Sequence, residues 1–160
     1  EVVAALSARA EAPPGCHSEP LGALRYLATA SPAFRDRHFA DGVTHAALAR
    51  APQLGFDASD DLQGRWVARQ LGGEAVSAPV HRLPSTEAFV AATLAGIGWS
   101  MNPASLVGPL LDSDSLVELA PGTPLDVVLH WQTSRLMRGA LADVERAVRR
   151  GAKAHLRPCS

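Results

Sequence analysis

The sequence of 160 residues lacks three features that would place it in other protein classes. No run of about 18 apolar residues occurs, which excludes a membrane-spanning helix. Neither sign of charge dominates, because the sequence has 15 lysines and arginines and 16 aspartates and glutamates. No overall positive field would therefore attract nucleic-acid phosphates. Residues 1–6 lack the basic residues that open a secretory signal, so we expect a cytoplasmic protein without a membrane partner.

Cysteine and histidine are too few and too scattered to indicate a metal or redox centre. The two cysteines, Cys16 and Cys159, form no CxxC pair and have no histidine at ligand spacing. The six histidines show neither i,i+4 pairs nor an HExxH motif, which argues against zinc. We expect reduced thiols, no metal and no cofactor, although the sequence leaves a disulfide between the two cysteines open.

The motifs of common catalytic and nucleotide-binding sites are missing as well. The sequence contains no GxSxG, GxxxxGK[ST] or GxGxxG motif. In the GIG segment at 96–98, Gly96 ends a predicted helix and a predicted strand follows, so the segment does not open a helix on a phosphate. We therefore do not expect an enzyme.

The sequence does have a high apolar content, 47% of its residues, which is enough for a hydrophobic core at this length. Apolar and β-branched runs predict strands over residues 2–6, 24–29, 53–56, 80–83, 97–101, 116–119 and 125–131. Helical patterns lie between most of these strands, with short connections. This order is typical of an α/β fold with a parallel or mixed sheet and helices on both faces.

Capping residues predict where the helices begin, because their side chains satisfy free N–H groups of the first turn. The predicted starts are, in chain order, Ser31 with Pro32, Thr44, Ser59 with Asp60 and Asp61, the segment 84–87, Asn102 with Pro103, and Ser134. The last helix is predicted to end at Gly151.

Two long predicted strands, 24–29 and 125–131, enclose three strand–helix units. Such a pair of strands is what a two-lobed binding protein uses to cross from one lobe to the other and back. The buried strand predicted at residues 2–6 has nothing before it, which suggests a fragment whose earlier elements are missing.

The hydroxyl residues Ser85 and Thr86, followed by Glu87, have two compatible interpretations. They lie at a helix start after a strand, where open α/β sheets bind ligands and where the helix favours an anion such as an amino-acid carboxylate. The more common explanation of such residues is an ordinary helix cap.

Acidic residues follow the strand predicted at 53–56 and can hold a cationic group. Compensation of the helix dipole explains Asp60 and Asp61 without any ligand. Asp57 is harder to explain in that way, because it ends the strand before the cap. Ser7, at the end of the first strand, suits either a ligand contact or simple solvation.

Short segments of the chain resemble the effector domain of LysR-type transcriptional regulators. These segments are LGALRY (21–26), ASPAF (30–34) and DGVT (41–44). Others are similar to the ArgP/LysG branch, which senses lysine and arginine and controls a basic amino-acid exporter: APQLGFD (51–57), DDL (60–62), STEAFV (85–90) and GIGWSMNP (96–103). The likeness extends from residue 2 to about residue 150, and FDxxDD at 56–61 and the pair His130-Trp131 are its more specific parts.

The resemblance implies a periplasmic-binding-protein-like type II effector domain of two Rossmann-like α/β lobes, with the first lobe incomplete. It assigns residues 1–30 to a partial first lobe and hinge strand, 31–121 to the second lobe, and 122–160 to the return strand and last helix of the first lobe. We expect a homo-oligomer. Contact with promoter DNA would need the family's N-terminal winged helix-turn-helix, which this sequence lacks.

The resemblance also implies a basic amino acid, lysine or arginine, as a small-molecule effector bound between the lobes. The implied effector contacts are the hydroxyls of Ser7, Ser85 and Thr86 and, for the ligand's cation, the carboxylates of Asp57, Asp61 and Glu87. Binding would control transcription by shifting the population toward one conformation. One alternative is a free-standing solute-binding protein of the same fold for a different ligand. Another is an α/β enzyme, for which the sequence offers no nucleophile–base pair.

Overall fold

The computed structural model describes residues 3–137 and 139–159, and within them the chain forms seven strands and six helices. The strands are β1 (Ala4–Ser7), β2 (Cys16–Ala30), β3 (Gln53–Gly55), β4 (Val80–Arg82), β5 (Ser100–Pro103), β6 (Val117–Glu118) and β7 (Leu125–Ser134). The helices are α1 (Pro32–His38), α2 (His45–Arg50), α3 (Leu62–Gln70), α4 (Thr86–Leu94), α5 (Ala104–Asp112) and α6 (Ala142–His155). The chain divides into two compact units, residues 1–25 with 126–160 and residues 26–125.

The first unit, residues 1–25 and 126–160, is built on antiparallel strands. β1 pairs with β7, with Ala4 opposite Thr133 and Ser7 opposite His130, and β7 in turn neighbours β2. The segment after α6 returns to β2, where the backbones of Ala23 and Arg157 exchange hydrogen bonds of 2.9 and 3.0 Å. The return segment therefore extends the strand framework of this unit.

Gly22 allows the segment after α6 to approach β2 closely. Its φ is +153°, and a Cβ at this position would lie 2.7 Å from Leu156 Cβ and 2.8 Å from the carbonyl oxygen of Arg157. Gly22→Ala places a residue with a Cβ at a positive φ, which has its own cost. Beyond that cost, we expect the free energy of unfolding to fall by about 1–3 kcal/mol, because the hydrogen-bonded segment after α6 must move. Thermal unfolding of the variant measures this loss.

Gly15→Ala is the matched control for this prediction. Gly15 belongs to the same unit and also has a positive φ, +80°, but nothing lies within 4 Å of an added Cβ. This variant is expected to show only the backbone cost of about 1–2 kcal/mol. Equal losses in the two variants would contradict the role assigned to the close approach at Gly22.

The second unit, residues 26–125, combines antiparallel and parallel strands. The end of β2 pairs antiparallel with β5 and β6, with Tyr26 opposite Pro103. β3 and β4 form a parallel pair, and a parallel bridge joins Gln53 to Trp99 just before β5. The predicted α/β class with a mixed sheet is confirmed.

Two tryptophans lie in the core of the second unit. Trp66 on α3 and Trp99 before β5 are fully buried, and their ring centroids are 5.3 Å apart. The indole N–H of Trp66 donates to the carbonyl oxygen of Thr123 at 3.0 Å, which fastens α3 to the segment before β7. Buried Phe34 and Leu48 belong to the same apolar cluster.

Two capping predictions in this unit are confirmed. Ser31 caps α1, since its hydroxyl accepts the N–H of Phe34 at 3.4 Å, and Pro32 occupies the first helical position. Thr44 caps α2, since its hydroxyl accepts the N–H of Ala47 at 3.2 Å. Both caps depend only on groups within one helical turn of each other.

The N-cap predicted at Asn102 is wrong. Asn102 belongs to β5, and α5 begins only at Ala104, after Pro103. The side-chain amide of Asn102 donates to the hydroxyls of Thr29 at 3.0 Å and Ser100 at 2.7 Å. It therefore satisfies a buried network instead of a helix end, because β5 pairs with β2 through this position.

The last helix begins and ends later than predicted. Ser134 is the final residue of β7, so it does not cap a helix, and α6 starts at Ala142. Leu136 lies between β7 and α6 and is 95% exposed. Gly151 lies inside α6, which continues past it with Ala152 buried. Packing of this turn outweighs the cost of about 1 kcal/mol for a glycine within a helix.

Candidate functional site

The loop between β3 and α3 is shaped by the carboxylate of Asp57. One oxygen, Oδ1, accepts hydrogen bonds from the Ser59 N–H and hydroxyl, both at 2.7 Å, and from the Asp60 N–H at 3.1 Å. The hydroxyl of Ser59, followed by its backbone N–H, holds the pKa of Asp57 below its usual value. Asp57 is exposed, and Arg82 donates to its carbonyl oxygen. The Asp57 carboxylate therefore stabilises the loop through hydrogen bonds within it.

Asp60, in the same loop, is half-buried and accepts hydrogen bonds on both oxygens. Oδ2 accepts the N–H of Phe56 at 2.8 Å and the side-chain amide of Gln63 at 3.3 Å, while Oδ1 accepts the N–H of Leu62 at 3.2 Å. None of these donors carries a charge, so they orient the carboxylate without neutralising it.

The helix start predicted at Ser59 to Asp61 lies slightly later. α3 begins at Leu62, and its N-cap Asp61 makes no side-chain capping bond. Asp61 is exposed and lies 3.8 Å from Arg65 in an ion pair across one turn. It borders a groove of about 510 Å³ at α3 and β4, which Asp60 also borders.

The hydroxyl residues predicted at the start of α4 are confirmed as a helix start. Ser85 caps the helix by accepting the N–H of Ala88 at 3.4 Å, and Thr86 is the first helical residue. Glu87 follows in the first turn and is exposed, as Ser85 and Thr86 are.

A cavity of about 210 Å³ in the second unit brings Asp60 and Thr86 together; we name it the Asp60 cavity. Its lining residues with polar side-chain groups are Tyr26, Asp60, Thr86 and Asn102. Its apolar lining residues are Phe56, Leu62, Phe89, Met101 and Pro103. Of the described residues that line it, none is lysine, arginine or histidine. Asp60 is therefore an acidic group in a lining without a basic partner.

The surroundings of the Asp60 cavity are fixed by buried groups. Burial, and then the negative charge of Asp60, raise the pKa of the Tyr26 hydroxyl. Asn102 is 1% exposed, and its amide nitrogen donates to the hydroxyls of Thr29 and Ser100.

Pockets for whole drug-sized ligands measure about 300–1,000 Å³. This cavity therefore suits a small molecule or one end of a larger one.

The structure brings only part of the predicted site together. Thr86 lines the Asp60 cavity, whereas Asp57, Asp61 and Glu87 are not among its described lining residues. Ser7 lies in the first unit at the end of β1, where its hydroxyl accepts the N–H of Arg9 at 3.0 Å. The effector-binding roles of Ser7, Asp57, Asp61, Ser85, Thr86 and Glu87 stay predictions.

The sequence-based set of effector contacts leaves out Asp60, Gln63 and Asn102. Asp60 is one of the three acidic residues that can hold a cation, but the helix dipole explains it without a ligand, and Asn102 is predicted as a helix cap. One available signal was Gln63, an amide on the same helix face as Trp66 and Val67. A polar residue within an apolar stripe indicates a buried hydrogen bond that needs a partner.

The described residues contain no cluster of three or more histidine, cysteine, aspartate or glutamate side chains that could hold a metal ion. In the same part of the chain, no helix has the length and apolar character needed to cross a bilayer. Cys16 and Cys159 are free thiols.

Comparison with known protein families identifies the chain. The model of the LysR substrate binding domain matches residues 2–153. The chain belongs to this family. LysG from Mycobacterium tuberculosis (strain H37Rv), described as an HTH-type transcriptional regulator, is 42% identical over 139 residues, which are 87% of this chain and 45% of LysG. Other relatives are HTH-type regulators named ArgP. This LysR substrate-binding domain thus spans about half the length of the curated relatives it matches.

Solved structures give the fold of this LysR substrate-binding domain. The C-terminal domains of a LysR family protein from Agrobacterium tumefaciens are 52% identical, with a TM-score of 0.94 over 99% of this chain and 76% of that one. Full-length LysG from Corynebacterium glutamicum with bound effector Arg is 34% identical, with a TM-score of 0.82 over 98% of this chain and 52% of that one. The domain has the periplasmic-binding-protein-like type II fold of LysR regulatory domains. The resemblance to the ArgP/LysG branch is confirmed.

Proposed function

We propose that the chain is the effector-sensing domain of a cytoplasmic LysR-type transcriptional regulator and that its effector is a basic amino acid. The family match and the relatives named LysG and ArgP support this proposal. The bound Arg in the C. glutamicum LysG structure supports the choice of ligand class. On this proposal the domain is not an enzyme, acts within a homo-oligomer, and controls promoter DNA through a winged helix-turn-helix outside this sequence.

The observation that carries the proposal is the charge of the Asp60 cavity. A carboxylate among apolar and neutral polar groups, with no basic residue in the described lining, favours a ligand that brings its own cation. Asp60 would meet the guanidinium or ammonium group. The hydroxyls of Ser85 and Thr86, at the start of α4, would meet the ligand carboxylate, which the start of a helix favours.

Control of transcription would follow from unequal affinity for two conformations. A ligand shifts a conformational equilibrium only as far as it binds one state better than the other. The remaining predicted contacts, Ser7, Asp57, Asp61 and Glu87, are proposed to contribute to that difference.

Isothermal titration calorimetry of the purified protein tests the proposal. Arginine and lysine are titrated against citrulline, a neutral analogue of arginine, and norleucine, an apolar analogue of lysine. We expect at least one basic amino acid to bind, and its neutral analogue to bind at least about tenfold more weakly, a difference of about 1.4 kcal/mol.

Equal binding of a basic amino acid and its neutral analogue would contradict the role of the carboxylate. Binding of neither basic amino acid, with binding of another small solute, would favour a solute-binding protein of the same fold instead.

A further inference from the structure

We propose that Gln63 sets the preference of the Asp60 cavity for a cationic ligand, because it holds the Asp60 carboxylate in place. The inference rests on the proposed function and deepens it. The amide nitrogen of Gln63 lies 3.3 Å from Asp60 Oδ2 and 2.5 Å from the carbonyl oxygen of Leu54. Gln63 is not among the described residues that line the cavity, so it is a positioning residue.

Gln63 is buried, so its side-chain amide needs hydrogen-bond acceptors inside the fold. Gln63 is 3% exposed and lies on the inward face of α3, beside the positions of Trp66 and Val67. An apolar side chain would fill this place without needing a partner, whereas a buried amide is stable only when it is hydrogen-bonded. Its acceptor Leu54 is fully buried in β3, so the amide is anchored to the sheet.

Gln63 differs from the other donors to Asp60 in where it is anchored. The N–H of Phe56 belongs to the loop that carries Asp60, and that of Leu62 to the first residue of α3, so both are backbone donors beside the loop. Gln63 reaches the same carboxylate from a helix side chain that is bonded to β3. It therefore connects Asp60 to β3, and a carboxylate held in place needs less ordering when the ligand's cation binds.

A purely structural role for Gln63 makes a different prediction. If Gln63 only supported the packing of α3 on β3, its loss would lower stability and would weaken charged and neutral ligands alike. If it positions Asp60, its loss weakens a cationic ligand more than a neutral one of the same shape. The ratio of the citrulline and arginine dissociation constants separates the two roles.

Gln63→Met removes the amide and keeps the length of the side chain. We expect the ratio of the citrulline to the arginine dissociation constant to fall about threefold to tenfold relative to the unmodified protein, which is the effect of one lost hydrogen bond. Calorimetry measures both constants. Gln70→Met is the matched control, because it makes the same change at the end of the same helix, away from the cavity lining. It should leave the ratio unchanged.

Gln63→Asn provides a second variant in case the buried methionine prevents folding. It keeps an amide but shortens the side chain by one methylene, so it cannot span both acceptors. The ratio is expected to fall in the same direction. In an Asp60→Asn background, Gln63→Met should not lower the ratio any further, because the carboxylate it positions is gone.

The outcomes distinguish this inference from the proposed function. If the unmodified protein does not prefer arginine over citrulline, both the proposed function and the role of Gln63 are contradicted. If it does, and the folded variants Gln63→Met and Gln63→Asn both keep that preference, the role of Gln63 alone is overturned. A further fall of the ratio in the Asp60→Asn background also overturns it, since Gln63 would then act by another route.

Discussion

Asp60→Asn is expected to weaken arginine binding about 30-fold, or about 2 kcal/mol, because it removes the carboxylate that meets the ligand's cation. Asparagine has nearly the same size, and its carbonyl oxygen can still accept the N–H of Phe56. Citrulline affinity is therefore expected to change by less than about twofold. Calorimetric titrations of both ligands against the variant and the unmodified protein give the two changes.

Asp57→Asn and Asp61→Asn measure the smaller contribution proposed for these two carboxylates, since they remove the same charge within the same short segment. Asp57 uses its carboxylate to bind Ser59 and Asp60 within the loop, and Asp61 is exposed beside Arg65. We expect either variant to change the preference for arginine by less than about threefold, a difference under 1 kcal/mol. Loss of that preference in Asp57→Asn but not in Asp60→Asn would overturn the assignment to Asp60 and favour the sequence-based one.

The features that the sequence predicts well depend on neighbours within one helical turn. Ser31, Thr44 and Ser85 each cap a helix through a bond to the N–H three residues later. The bond forms between groups that are already close in the chain, so residue type and spacing are sufficient to predict it.

The features that the sequence predicts poorly depend on partners far away in the chain. Asn102 before Pro103 has the local pattern of a helix start, yet pairing of β5 with β2 holds it in a strand. β2 likewise begins at Cys16, well before the strand predicted at residue 24. Tertiary pairing outweighs local preference at these positions.

The choice among three nearby carboxylates shows the same limit within the site. Asp57, Asp60 and Asp61 have the same chemistry, and their directions depend on the backbone of one irregular loop. The hydrogen bonds of Ser59 to Asp57 turn that carboxylate into the loop. Those of Phe56 and Gln63 place Asp60 beside the cavity. The sequence predicts an acidic site here but does not single out the residue.

Trp66→Ala is expected to lower the free energy of unfolding by about 3–5 kcal/mol, a large share of the stability of a domain of this size. The ring is fully buried against Trp99, and its loss leaves a cavity in the main apolar cluster of the second unit. It also leaves the carbonyl oxygen of Thr123 without the indole donor. Urea unfolding followed by circular dichroism measures the change.

Trp66→Phe and Trp99→Phe each replace a fully buried indole ring by a smaller phenyl ring, so the lost volume is the same in both. The difference between their effects on stability therefore reports the hydrogen bond. The indole N–H of Trp66 donates to Thr123, whereas that of Trp99 has no acceptor among the described residues. Trp66→Phe removes a bond that is made, and Trp99→Phe removes a buried donor that is not paired. We therefore expect Trp66→Phe to cost about 1 kcal/mol more than Trp99→Phe. Equal costs, or a larger cost at Trp99, would show that the bond to Thr123 contributes nothing to the stability of this core.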